Sequence, residues 1–269
     1  MNGQRNKDSS FKKILIILLT IIFICCAILF AKIKITEHIE NEKQKEISRA
    51  LDNIRLEPNE EDSDEVDASQ MTERMLKLKK LKTENKDIVG WIEIEGTNIN
   101  YPVLQGRNNE YYLTHDYKRE YISTGSIFLD KDYDFSLPSS NFLIYGHRNK
   151  VGLMFDELIK YESESFYKDH KIIRFTTTKE DAEYEVISAF YSKVYYKDER
   201  NVFKYYNFIN ANNKNEYDDF ISNVKKISLY NTGITAQYGE QLMTLSTCDY
   251  SVENGRFAVV AKKINVEAH

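Results

Sequence analysis

From Ile88 to Ile264 the chain is a succession of short β-rich runs broken by turn residues, and this texture limits the fold more than any other feature of the sequence. The runs are IVGWIEI, INYPVL, GSIFLD, NFLIYG, IIRFTT, EYEVISAFY, QLMTLST and RFAVVAKKI. Each is too short for a stable core helix and rich in β-branched and aromatic residues, so each reads as a strand. Eight such strands at modest spacing point to a closed or nearly closed barrel, because closure leaves no edge exposed. Two helical patterns interrupt them, GLMFDELIKYES from Gly152 and NEYDDFISNVKKISLY from Asn215 to Tyr230. A third, MTERMLKLKKLKTEN (Met71–Asn85), precedes the first strand and sets Met71, Met75, Leu78 and Leu81 on one helical face. The expected fold class is mostly β with added helices.

Upstream of the strands the texture is different. Ile14 to Ala31 is an 18-residue run without a charge, close to the ~20 residues a helix needs to cross a bilayer. Lys12 and Lys13 precede it, Lys32 and Lys34 follow, and Arg5 and Lys7 reinforce the basic N-terminal flank. The positive-inside bias then favours a cytoplasmic N-terminus and an external C-terminus. The run is longer than the apolar region of a cleaved signal peptide, and no small-x-small site follows it, so it reads as an uncleaved signal-anchor. From Lys32 to about Ile54 sparse apolar positions (Ile35, Ile39, Ile47, Leu51) suggest a solvated helical stalk ending near Pro58. Glu57 to Asp67 holds seven acidic residues and no basic one, which reads as a self-repelling linker. The expected organisation is a cytoplasmic N-terminus at 1–13, a transmembrane signal-anchor at 14–31, a charged stalk and acidic linker at 32–70, and a catalytic domain with its N-terminal helix at 71–269. The chain ends about five residues after the last strand, so a second membrane span is not expected.

A net charge of −5 gives no reason to expect a nucleic-acid partner. The sequence has no Cys/His ligand cluster, Gly-rich phosphate loop or dinucleotide fingerprint, so neither a metal nor another cofactor is expected. Three cysteines are present, and Cys25 and Cys26 lie inside the apolar run. Cys248 is therefore the only soluble cysteine in a domain expected outside the cell, where thiols are usually paired. It is either a buried apolar filler or a reactive thiol. Its setting bears on the choice: LMTLSTC ends one β-rich run, DYSVENG reads as a polar loop, and Arg256 begins the next run. If the two strands pair, Cys248 and Arg256 come side by side.

A thiol nucleophile needs a base or an ion-pair partner. His38 is in the stalk and His269 is the last residue, while His115 and His170 sit among charged loop residues and are expected to face solvent. His147 follows NFLIYG and so lies at a strand end, as Cys248 and Arg256 do. The thiolate could attack a carbonyl, the imidazole could exchange protons, and the guanidinium could stabilise an oxyanion.

TLSTC followed eight residues later by Arg, with an upstream YGH, resembles the sortases, membrane-anchored cysteine transpeptidases of Gram-positive bacteria. The resemblance is to class B and runs over about 180 residues, through NYPVLQGRNNEYYL, GSIFLD, and YGHR leading into MFDELIKY. It implies a closed eight-stranded sortase-type β-barrel with N-terminal helices and a long helix before the penultimate strand. It implies cleavage of a C-terminal sorting signal after Thr and transfer to an amine, usually of the peptidoglycan. In that pattern Cys248 matches the nucleophile, His147 the acid/base and Arg256 the transition-state arginine. Asn109, Leu113, Tyr145 and Ser246 match groove positions, with Thr247 beside them, and the loop around Val202 and Phe203 would cover the signal's first residues. Asp249 is a possible catalytic partner or a solvated loop carboxylate. The implied substrates are surface proteins with NPxTx-like or SPxTG/PPxTG-like signals. Two alternatives remain: a pilin-polymerising sortase, and a non-catalytic membrane-tethered scaffold barrel.

Overall fold

The computed structural model describes residues 3–49, 53–54, 72–136, 140–149 and 152–264. The acidic run 57–67, Leu51, Met71 and His269 lie outside the described residues. The chain divides into two compact units, Met1–Lys43 and Gln44–His269. The first is carried by helix α1 (Gly3–Ser48), which continues into the start of the second unit. From Ile14 to Ile39 its large apolar side chains are exposed, Phe23 at 74% and Ile28 at 63%, and the helix is long and apolar enough to cross a membrane.

In the second unit all eight β-rich runs form strands: β1 Ile88–Glu93, β2 Asn100–Leu104, β3 Ile127–Leu129, β4 Asn141–Tyr145, β5 Ile172–Thr176, β6 Asp181–Lys193, β7 Leu242–Cys248 and β8 Gly255–Ile264. They close into a barrel in the order β1-β2-β3-β4-β7-β8-β6-β5. Most neighbours are antiparallel, but β2 pairs with β3 and β4 with β7 in parallel. Parallel neighbours need a long crossover, and the one from β4 to β7 contains β5, β6 and helix α4 (Lys214–Lys226).

The strands of this half are buried on both faces because two cores flank them. On β8, Phe257, Val259 and Ala261 join the larger core cluster, while Ala258 and Val260 join a second. The second cluster is completed by Tyr217, Phe220, Ile221 and Val224 of α4, an i, i+3, i+4, i+7 stripe. β6 follows the same alternation but changes phase at a bulge between Val186 and Ser188: Tyr184 and Val186 precede it in the larger cluster, and Ala189 rejoins that cluster after it. One inserted residue thus keeps a 13-residue strand in register with both cores.

Helix α2 (Glu73–Glu84) is capped by Thr72, whose hydroxyl accepts from Met75 N at 3.3 Å, and it buries Met75, Leu78 and Leu81. The stalk reading needs one correction: Ile47 is only 6% exposed and belongs to the larger cluster. The segment after Gly152 is also not the single α-helix its periodicity suggests. Asp156–Glu162 is a 3-10 helix, followed by α3 (Glu164–Asp169). The buried pair there, Leu158 and Tyr161, is spaced by three, which suits the 3-10 repeat. Helix α4 stops at Lys226, short of Tyr230, because the chain then returns to the sheet through Leu229 N donating to Ala189 O at 2.9 Å.

Candidate active site

Register and pleat bring the three chemical residues together. β7 and β8 are antiparallel, and their ladder ends with Cys248 directly opposite Arg256. β4 and β7 are parallel with Tyr145 opposite Ser246, and Gly146 N extends the ladder by donating to Ser246 O at 3.1 Å. Two steps beyond that pair in the same direction lie His147 and Cys248. Side chains alternate across a pleat, so Leu143, Tyr145, Leu242, Ser246, Cys248, Arg256 and Ala258 project on one side. Leu143, Leu242 and Ala258 of that set belong to the second cluster. Its open end is a cleft of about 230 Å³ lined by His147, Cys248 and Arg256, and by Asn109, Leu113, Tyr145, Ser246 and Thr247. These eight residues border one space, whereas Asp249, Val202 and Phe203 do not line it.

His147 is held by a main-chain group. Its Nε2 lies 2.9 Å from Leu113 O, and a carbonyl only accepts, so Nε2 carries the hydrogen and Nδ1 remains to exchange a proton. Leu113 ends a short 3-10 turn, Tyr111–Leu113. Gly125, at φ +57°, passes so close beneath that a Cβ there would sit 2.4 Å from Leu113 O. Burial is the main influence on His147 and lowers its pKa below the usual value near 6.5; the Leu113 bond opposes that, and the charge on Arg256 adds to it.

Cys248 is half-buried and unpaired. Arg256 donates from Nη1 to Gly255 O at 2.8 Å, which folds the guanidinium back at the cleft mouth. Ser246 is 2% exposed and shares a 2.7 Å hydrogen bond with Tyr205 Oη. Thr247 projects from the opposite side of the pleat and donates to Gly146 O at 2.8 Å, bracing the backbone that carries His147. Tyr145 donates to Asp130 Oδ2 at 3.0 Å, and Asn109 Nδ2 donates to the same oxygen at 2.9 Å.

Several residues stand differently from their sequence reading. Asp249 is not a solvated carboxylate: it is 6% exposed, its Oδ1 lies 3.5 Å from Arg148 Nη1, and its Oδ2 accepts from Ser251 Oγ. Phe203 packs against Phe220, and Tyr205 and Tyr206, two and three residues further on, line the cleft with Val194 and Phe128. Nothing local in the sequence marks this Tyr205–Tyr206 pair as cleft-lining, because its place depends on strands far away in the chain. His115 and His170 are half-buried, stacked on Tyr111 at 4.1 Å and Phe166 at 3.9 Å, and neither borders the cleft. Among the described residues no group of three or more His, Cys, Asp or Glu is placed to hold a metal ion.

A closed barrel that gathers a thiol, an imidazole and a guanidinium at one end holds the groups that acyl transfer would use. Comparison with known proteins gives the family. Residues 92–264 match the sortase domain model. The chain is 40% identical over 190 residues to sortase B of Staphylococcus aureus, covering 69% of this chain and 74% of that one. Among solved structures, sortase B from B. anthracis superposes with a TM-score of 0.69 at 30% identity, over 86% of this chain and 99% of that one. A Staphylococcus aureus sortase B–substrate complex gives 0.63 at 36% identity, over 72% and 87%. The chain belongs to the sortase family, transpeptidases of the cell-wall-anchoring kind. Within that family its relatives are class B.

Proposed function

We propose that this sortase cleaves a C-terminal sorting signal after Thr through a Cys248 thioester and passes the protein to a peptidoglycan amine. The observation that carries this reading is the convergence of Cys248, His147 and Arg256 on one cleft. The Cys248 thiolate attacks the Thr carbonyl carbon, and the carbonyl electrons move to oxygen beside the Arg256 fork. As the C–N bond breaks, His147 gives the Nδ1 proton to the departing amine, leaving a thioester. An incoming amine attacks the thioester and surrenders a proton to His147; the C–S bond breaks and the thiolate returns. Burial, which lowers the His147 pKa, favours the neutral imidazole and readies the protonated ring to give up its Nδ1 proton. Asn109, Leu113, Tyr145, Ser246 and Thr247 form the walls that receive the signal, NPxTx-like or SPxTG/PPxTG-like.

The same reading makes residues 14–31 a signal-anchor with residues 1–13 in the cytoplasm, 32–70 a stalk and linker, and 71–269 an external catalytic domain. The exposed apolar surface of α1 supports the anchor. The test is full-length protein in detergent with a panel of the three signal types. Cys248→Ala abolishes cleavage with an unchanged melting profile, and mass spectrometry of the wild type finds an acyl adduct on Cys248 alone. Undiminished cleavage by the alanine variant refutes the assignment.

A further inference from the structure

Asp130 follows β3 and is only 5% exposed. It does not border the cleft, yet two residues that do converge on it. Its Oδ2 accepts from Asn109 Nδ2 at 2.9 Å and from Tyr145 Oη at 3.0 Å, while Oδ1 accepts from Asp132 N at 2.9 Å. The segment is pinned from behind by Gln105, whose Nε2 donates to Asp130 O at 3.0 Å and Tyr133 O at 2.8 Å.

A carboxylate has no hydrogen to offer, so both cleft residues must donate to it. The hydroxyl proton of Tyr145 is thereby committed, and what Tyr145 can still show a ligand is the lone pairs of Oη. Burial, and after it the charge of Asp130, pushes the Tyr145 phenol far above its usual range, so that proton stays in place. Asn109 is fixed the other way round. Its Oδ1 accepts from Lys131 N at 2.8 Å, which orients the amide, and one N–H goes to Asp130. The second N–H is what remains.

We propose that Asp130 is a positioning residue that sets the hydrogen-bond polarity of the substrate groove, making Asn109 a donor and Tyr145 an acceptor for the backbone of an extended peptide. An extended peptide offers carbonyls and amides in alternation, and reversing its direction exchanges them. One donor and one acceptor held by a common carboxylate therefore select the direction in which the signal lies, with its scissile end toward Cys248. The inference rests on the proposed assignment of this cleft to the sorting signal.

The experiment measures binding of the same three-signal peptide panel to full-length Cys248→Ala protein in detergent, followed by an amide-to-ester scan of whichever peptide binds most tightly. One ester, at the N–H that meets Tyr145 Oη, weakens binding about three- to tenfold, the worth of one hydrogen bond. The same ester costs nothing further in Tyr145→Phe. Asp130→Asn, which puts an N–H where an acceptor is required, weakens binding by about tenfold or more. That effect falls below twofold in an Asn109→Ala, Tyr145→Phe background, which a merely structural role would not produce. An equal Asp130→Asn loss in that background overturns the proposal, and so does a flat ester scan with peptide bound. The ester scan leaves position 130 untouched, so it decides even if Asp130→Asn does not fold. If no peptide binds and cleavage survives Cys248→Ala, the assignment of the cleft fails and takes this proposal with it; a bound peptide with a flat scan overturns this proposal alone.

Discussion

Gly125→Ala tests whether the main chain under Leu113 is what holds His147. At φ +57° an L-residue is strained by about 1–2 kcal/mol. The new Cβ would also stand 2.4 Å from Leu113 O and 2.6 Å from both Leu113 C and Tyr112 O, all of them backbone atoms that cannot swing aside. Relief to an ordinary contact displaces the carbonyl by about 1 Å, and overpacking of this kind costs about 1–3 kcal/mol more. Gly233 is the internal control: its φ is +76°, but nothing lies within 4 Å of its Cβ position, so Gly233→Ala carries the conformational cost alone. At roughly 2–4 °C per kcal/mol for a domain of this size, Gly125→Ala should melt about 2–12 °C below Gly233→Ala. The displaced carbonyl is the one 2.9 Å from His147 Nε2, and an error of about 1 Å in a catalytic group can cost about 100-fold. Signal-peptide cleavage by Gly125→Ala, assayed well below its melting point, should therefore fall about 10- to 100-fold, with Gly233→Ala within about twofold of wild type. Equal melting of the two variants would refute the packing argument. A destabilised Gly125→Ala with full activity would refute the role given to the Leu113 carbonyl.

Arg256→Lys keeps the charge but loses the planar fork, so cleavage should fall by about 10²–10³-fold with the shape of the pH–rate profile unchanged; near-normal turnover would leave the oxyanion without its proposed partner. His147 also leaves a mark on stability. Its folded pKa lies below its ordinary value near 6.5, so its neutral form supports the fold fully above that value, and the support is lost as pH falls toward the folded pKa. His147→Gln should flatten the drop in melting temperature between about pH 7 and pH 5, and an identical slope would contradict the burial argument. Phe220 is 3% exposed and stacks on Phe208 at 4.0 Å, so Phe220→Ala should cost about 3–5 kcal/mol in urea unfolding; a loss below about 1 kcal/mol would mean that the second cluster is not a true core.

What could be read in advance was whatever depended on side-chain periodicity. The eight β-rich runs mark β1 to β8, and the loop between Cys248 and Arg256 implied the pair that the β7–β8 register makes. Contributions from the backbone left no such trace. Leu113 looked like a groove wall, and nothing about a leucine announces that its carbonyl will meet a histidine 34 positions away. Asp130 looked like an ordinary polar residue at a strand end; its importance comes from two donors that lie 21 and 15 positions from it in sequence. The burial of Ile47 was hidden for a related reason: its sparse apolar stripe looks the same as that of exposed Ile35 and Ile39, and its burial depends on a surface supplied by the later chain.

The parallel pairing of β4 with β7 also has a consequence for how the molecule matures. His147 and Cys248 stand at the same end of the barrel only because those two strands run the same way, yet they are separated by a crossover that holds β5, β6 and α4. A hairpin can form as soon as its second strand is made. This contact must wait for a loop of roughly a hundred residues to close, the kind of long-range step that slows folding. Arg256 arrives later still, on the final strand. A chain emerging N-terminus first therefore displays His147 long before Cys248. On the proposed mechanism, acyl transfer would stay latent until the last two strands have docked.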